Sequence, residues 1–77
     1  MHLEIARLHD VWRSVEAEVR AAEDELYAAM RSGRDADPAL ISRVRGLRRE
    51  ASDAFRAFLA ESERAASALN WARQRNR

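Results

Sequence analysis

The stretch RSGRDADPA, residues 31–39, interrupts a chain that otherwise contains almost no helix-breaking residues. It holds Gly33 and Pro38, two of the only three glycine and proline residues among the 77. Gly33 suits the left-handed residue that ends a helix. Asp37 followed by Pro38 suits an N-cap and a first helical position. A stop signal thus lies close to a start signal, which predicts a turn at residues 32–37 between antiparallel helices.

The segment before this turn has the apolar spacing of a long amphipathic helix. Apolar residues occupy eight consecutive heptad positions without a break: Ile5, Leu8, Trp12, Val15, Val19, Ala22, Leu26 and Ala29. Steps of three and four are typical of the seam of a left-handed coiled coil or helix bundle. The sequence therefore predicts a first helix over about residues 3–31.

The segment after the turn predicts a second helix over about residues 38–74. Its apolar stripe has a run of two four-residue steps at Leu47, Ala51 and Phe55, which predicts a local unwinding of the supercoil. Ala54, Leu59 and Ala66 widen the face, as in a helix with more than one neighbour. The whole stripe comprises Leu40, Val44, Leu47, Ala51, Phe55, Phe58, Ser62, Ala65, Leu69 and Ala72.

The predicted fold class is all-α, a two-helix antiparallel hairpin that forms a single domain over residues 1–77. Folding at the turn brings Trp12 opposite Phe58 and places the acids of residues 23–25 opposite the arginine-rich residues 43–49. Residues 1–38 hold five arginines against nine acids, whereas residues 39–77 hold nine arginines against four acids. The charges of the two helices therefore complement each other, although each exposed pair contributes only about 0–1 kcal/mol.

A lone hairpin of this size leaves much of its apolar surface in water, since short chains bury too little to be stable alone. We therefore expect a homodimer in which two hairpins form a four-helix bundle, because closed twofold dimers are the commonest oligomers. A different partner helix would meet the same physical need. The expected oligomer core is Ile5, Leu8, Trp12, Val15, Val19, Leu26, Val44, Leu47, Phe55, Phe58 and Leu69.

The C-terminal stretch LNWARQRNR, residues 69–77, extends past the level of the first helix in this arrangement. Trp71, Arg73 and Arg75, together with Leu59, are the expected contacts for the partner, because aromatic and arginine side chains anchor many interfaces. We expect residues 73–77 to form a basic, frayed tail. A further protein partner could dock at this end of the hairpin.

Catalytic, cofactor and metal sites have no support in the pattern of residues. The only histidines, His2 and His9, are seven positions apart, whereas helical metal ligands lie three or four apart so that they share a face. No cysteine is present to supply a thiolate. We therefore expect a protein that is not an enzyme, without cofactor or metal.

The function that this pattern favours is an interaction module: an adapter, a small chaperone or an assembly subunit. The alternative is a weak nucleic-acid-associated bundle that uses arginines as phosphate contacts, but a net charge of +1 and the acids facing the arginine-rich stretch disfavour it. The candidate phosphate contacts are Arg43, Arg45, Arg48, Arg49 and Arg77, with the tail arginines Arg73 and Arg75. We expect no membrane association and a cytoplasmic location.

Overall fold

The computed structural model describes the backbone of residues 2–75 and the side chains of residues 3–75. Over this range the chain forms two α-helices and no strand: α1 spans His2–Arg31 and α2 spans Pro38–Arg75. The two helices pack against each other as a hairpin, which confirms the predicted all-α fold. Helix α2 ends at Arg75, so Arg73 and Arg75 are helical here, where the sequence predicts a frayed tail.

Helix α1 ends in a Schellman motif centred on Gly33. This glycine has a φ of +74°, in the left-handed region that residues with a Cβ rarely adopt. Its N–H donates to the carbonyl of Met30 at 3.1 Å, and the N–H of Arg34 donates to the carbonyl of Ala29 at 3.1 Å. These bonds satisfy carbonyls that the helix end would otherwise leave without partners.

Helix α2 begins at an Asp37 N-cap. The Oδ1 atom of Asp37 accepts a hydrogen bond from the N–H of Ala39 at 3.0 Å, and its backbone carbonyl accepts the N–H of Ile41 at 3.0 Å. Pro38 occupies the first helical position, where its missing N–H costs nothing. The connection between the helices is therefore residues 32–37, closed at both ends by local hydrogen bonds.

The buried core is small. Among the described residues only Val19, Ala22, Val44 and Ala51 are buried, with 3–6% of their surface exposed. All four have short side chains, and each lies on the contact between α1 and α2. Larger apolar residues on the same stripes, such as Trp12 and Phe58, are only half-buried. The hairpin thus covers its own apolar surface incompletely.

Helix α2 faces α1 with a regular heptad seam, here called the inner seam: Val44, Leu47, Ala51, Ala54, Phe58, Glu61 and Ala65. All of these residues are buried or half-buried. The sequence stripe instead runs through Phe55, and its predicted unwinding depends on that choice. In the structure Ala54 is half-buried and Phe55 is 37% exposed, so the seam continues in steps of three and four. The small alanine takes the inner-seam position, and the larger ring of Phe55 lies beside the seam, with its centroid 4.9 Å from that of Trp12.

The hairpin is a rod rather than a globule. Its extents are 66 × 16 × 15 Å and its radius of gyration is 18.5 Å, whereas a compact chain of this length would have a radius of gyration of about 11.5 Å. The longest extent follows the long helix α2, and the two short extents correspond to the thickness of the helix pair. A rod two helices thick exposes both flanks of the contact to solvent.

Candidate interaction surface

An aromatic cluster joins the two helices near the middle of the hairpin. The rings of Trp12 and Phe58 lie nearly parallel with centroids 6.1 Å apart, which places these two residues opposite each other as the sequence predicts. Phe55 approaches the same indole to 4.9 Å. Aromatic pairs in this distance range contribute about 0.5–1.5 kcal/mol beyond the area that they bury.

His9 belongs to this cluster. Its imidazole lies 5.7 Å from the Trp12 ring, edge to face, and 5.3 Å from the Phe58 ring. The ring therefore packs as a flat aromatic side chain at the edge of the cluster. Between residues 3 and 75 no group of three or more histidine, cysteine or acidic side chains is placed to hold a metal ion. The sequence pattern did not point to His9 as a packing residue, although its one-turn spacing from Trp12 was a usable signal.

An open groove of about 270 Å³ runs along one flank of the hairpin beside the aromatic cluster. Glu16 of α1 lies on one side of it, and Ser52 and Phe55 of α2 lie on the other. The remaining lining residues are Trp12, Val19, Arg48 and Ala51. The exposed lining is mostly apolar, so the groove is suited to an apolar side chain rather than to a charged ligand.

One end of this groove is bounded by an ion pair between the helices. The guanidinium of Arg48 donates to a carboxylate oxygen of Glu23 at 2.8 Å. The hydroxyl of Tyr27 donates to the same oxygen at 3.4 Å. The hydrogen bond to Glu23, followed by the attraction of its charge, raises the pKa of Arg48 above its ordinary value. The predicted pairing of the acids with the arginine-rich stretch is thus seen at this one position.

A second apolar stripe lies on α2 beside the inner seam and is here called the outer seam: Phe55, Leu59, Ser62, Ala66 and Leu69. Its three large residues are 37%, 40% and 61% exposed, in chain order. The first four outer-seam residues each directly follow an inner-seam residue, and Leu69 continues the same spacing, so the stripe is rotated by about 100° around the helix. It lies on the same flank as the groove, since Phe55 belongs to both. The sequence signal for it was the width of the α2 stripe.

The structure of one chain places the expected oligomer core in three groups. Val19 and Val44 are buried between the helices. Phe55 and Leu69 are exposed on the outer seam. The others are half-buried on the facing sides of the helices: Ile5, Leu8, Trp12, Val15, Leu26, Leu47 and Phe58. Their role in an oligomer stays a prediction.

The C-terminal end of α2 carries an exposed aromatic side chain. Trp71 is 62% exposed, and the guanidinium of Arg75 lies over its ring, 5.1 Å from the centroid. This cation–π contact holds two of the expected partner contacts together on one helical turn. Arg73 is exposed, and Leu59 lies farther back, on the outer seam.

The candidate phosphate contacts do not form one surface. Arg48 is engaged by Glu23, whereas Arg43, Arg45 and Arg49 are exposed along α2. Arg45 and Arg49 are four positions apart and lie on one face of α2, whereas Arg43 lies at least about 120° around the helix axis from either of them. Arg77 lies outside the described residues.

The whole chain exposes more surface than a folded monomer of its size. Its accessible surface is 6341 Å², whereas a compact 8.8 kDa monomer exposes about 4,800 Å². The excess of about 1,500 Å² is more than the roughly 800 Å² that each partner contributes to a standard protein–protein interface. The hairpin therefore exposes enough area for an interface of standard size.

No family model, no curated protein and no solved structure matches this chain. Over the described residues, neither helix has an apolar stretch long enough to cross a membrane.

Proposed function

We propose that this protein is a helical-hairpin interaction module that self-associates, two hairpins forming an antiparallel four-helix bundle. In this role it acts as an adapter, a small chaperone or an assembly subunit, and it has no catalytic activity. The observation that carries the proposal is the excess surface of the single hairpin, which matches or exceeds what one partner buries in a stable interface. The cytoplasmic location expected from the sequence stays a prediction.

The small core supports the same proposal. Fully burying a large apolar side chain contributes about 1.5–3 kcal/mol, yet the four buried residues are two valines and two alanines. The larger apolar residues remain partly exposed to solvent, among them Trp12 and Phe58 in the aromatic cluster. A second hairpin covers such residues without any change in the fold of the first. Association and stability are therefore coupled, as in obligate homodimers.

Sedimentation equilibrium on the full chain tests this proposal. We expect a mass near twice the 8.8 kDa of one chain at micromolar concentration. We also expect the midpoint of thermal unfolding to rise with protein concentration, because association stabilises the folded state by mass action. A cooperatively folded monomer at micromolar concentration, with a melting temperature independent of concentration, would overturn the proposal.

The alternative function is weak binding of single-stranded nucleic acid at the C-terminal end. The observation in its favour is the exposed pair of Trp71 and Arg75, since an aromatic face and a cation are the usual means of holding a stacked base and its phosphate. Fluorescence anisotropy with a labelled single-stranded oligonucleotide tests it. Binding that weakens as salt rises and is lost in Trp71→Ala would favour this alternative, whereas no binding at low salt would remove it.

A further inference from the structure

We propose that the second copy docks on the outer seam of α2, so that the two α2 helices pack antiparallel to each other at the centre of the dimer. This inference rests on the proposed self-association and names the surface and the register that carry it. The outer seam extends from Phe55 to Leu69, about 21 Å of helix. Steps of four and three along it are those of a coiled-coil contact.

The angle between the two seams of α2 suits a helix at the corner of a four-helix bundle. A helix in such a bundle has two neighbours, in directions about 90° apart. The inner seam and the outer seam are about 100° apart around α2. Helix α1 occupies the first position, and the outer seam is the face that remains for a helix of the second copy.

The exposed residues that flank the outer seam select an antiparallel pairing. Arg56 and Glu63 lie on the solvent side of the seam, one heptad apart, and both are exposed. In an antiparallel pair related by a twofold axis, every contact occurs twice. When Leu59 faces Ser62 of the second copy, Arg56 comes beside Glu63 of that copy at both ends of the contact. A parallel pairing would instead place Arg73, the next position along the same seam, beside its own counterpart.

The same register matches large side chains with small ones. Phe55 faces Ala66 of the second copy, and Leu59 faces Ser62, so neither large residue meets another of its size. Such alternation is what close packing at an interface requires. A shift by one heptad would bring Glu63 next to its own counterpart and Phe55 next to Arg73. The pairing of charges and the matching of large with small side chains therefore favour the same register.

In this register Leu69 of the second copy lies level with Ser52, at the edge of the groove. The groove is open on the flank of the outer seam, and its exposed lining is mostly apolar. Leu69 is 61% exposed in the single hairpin, and a leucine side chain fits within a groove of about 270 Å³. The twofold axis repeats this contact, so each hairpin both donates a Leu69 and receives one.

Matched charge insertions test the surface. Leu59→Glu introduces a carboxylate into the outer seam, and Val11→Glu introduces one at a residue of similar exposure, 40% against 44%. Val11 lies about 140° around α1 from Glu16, on the flank away from the groove. We expect the dimer dissociation constant, measured by sedimentation equilibrium, to rise at least tenfold in Leu59→Glu and to change less than threefold in Val11→Glu.

Two other results would contradict the proposals, and they separate the one from the other. A monomeric parent chain would overturn both. A dimeric parent whose affinity is unchanged by Leu59→Glu would leave self-association standing and overturn the outer seam as its surface. Circular dichroism on each variant, at a concentration where the parent is dimeric, shows whether a weaker dimer still contains folded hairpins.

Cysteine cross-linking tests the register, since the chain contains no cysteine of its own. Under mild oxidation, a mixture of Leu59→Cys and Ser62→Cys chains should give a cross-linked heterodimer, because facing seam positions come within the distance that a disulfide spans. A mixture of Ser62→Cys and Ala66→Cys chains, which face each other in the register shifted by one heptad, should cross-link several-fold more slowly. The opposite order would overturn the register, and equal slow reaction in both mixtures would overturn the surface.

Discussion

Arg48 and Glu23 are 25 residues apart in the chain, yet their side chains form a 2.8 Å ion pair across the two helices. Their positions define the alignment of α2 along α1. The pair is adjacent to the groove, which Arg48 also lines. It thus connects the alignment of the hairpin with the surface proposed to receive a second copy.

Reversing the charge of Arg48 alone should lower the stability of the hairpin, and reversing the charge of Glu23 as well should restore it. We expect Arg48→Glu to lower the melting temperature, because it places two carboxylates together, and Glu23→Arg with Arg48→Glu to restore most of the loss. The side chains are 56% and 24% exposed, so the coupling should shrink as salt is added. A double-mutant cycle at low and high salt measures it. Additive effects of the two changes would contradict the contact.

The aromatic cluster should be the most sensitive part of the hairpin. We expect Trp12→Ala and Phe58→Ala each to lower the free energy of unfolding by about 3 kcal/mol, the low end for such truncations because both rings are half-buried. The double variant should lose less than the sum, since the two rings contact each other. Urea unfolding at fixed protein concentration measures this. Val11→Ala is the control. A loss of unfolding free energy there as large as in Trp12→Ala would show that the aromatic cluster is not the most sensitive part of the hairpin.

Replacing each of the two glycines by alanine should change the free energy of unfolding in opposite directions. Gly46 lies within α2, and an added Cβ would meet no atom within 4 Å, so Gly46→Ala should raise the free energy of unfolding by about 0.5–1 kcal/mol. Gly33 has a φ of +74°, so Gly33→Ala should lower it by about 1 kcal/mol. Thermal melts of both variants give the comparison. A stabilising Gly33→Ala would contradict the left-handed helix end.

The Asp37 N-cap should contribute measurably to the start of α2. Its carboxylate accepts the N–H of Ala39 at 3.0 Å, and replacing an N-cap by alanine costs about 1 kcal/mol. We expect Asp37→Ala to lose about this amount of stability and Asp37→Asn to lose less than half of it, because asparagine retains the acceptor. Chemical unfolding compares the variants. Equal losses would mean that the charge matters and the cap does not.

The stability of the first turn of α1 should depend on pH through the ionisation of Glu4. The hydrogen bond from Arg7 is the main cause that lowers the pKa of Glu4 below its ordinary value of 4.5, and the two side chains approach to 2.6 Å. A lowered pKa means that the contact stabilises the folded state above pH 4.5 and is lost as the pH falls through the folded pKa. An NMR titration of the Glu4 carboxyl group should show this value rising in Arg7→Ala. An unchanged value would contradict the contact.

Several parts of the fold were predictable because their causes are local. Gly33, Asp37 and Pro38 act on the hydrogen bonds of the adjacent helix turns, so the ends of both helices agree with the sequence to within one residue. The heptad of α1 was likewise predictable, since eight consecutive seam positions are apolar without a break. The exposure of Trp71 in a single hairpin followed from the lengths of the two helices and the position of the turn between them.

The candidate surface was only partly predictable, and α2 shows why. Ala54 and Phe55 are adjacent and both apolar, so periodicity alone cannot say which of them faces α1. The predicted stripe runs through Phe55, whereas the structure has Ala54 on the inner seam. The groove between Glu16 and Ser52 was not foreseen, because it depends on residues from both helices.

Helix existence, helix ends and the antiparallel path therefore follow from the amino-acid order, because caps, turn residues and apolar spacing act over only a few neighbouring residues. The choice between the two overlapping stripes of α2 depends on contacts with a distant part of the chain. In the structure Ala54 takes the inner-seam position, and Phe55 lies at the side of the contact, with its ring centroid 4.9 Å from that of Trp12. This placement leaves the outer seam exposed, so the face proposed to bind a second copy is defined by how α1 and α2 pack.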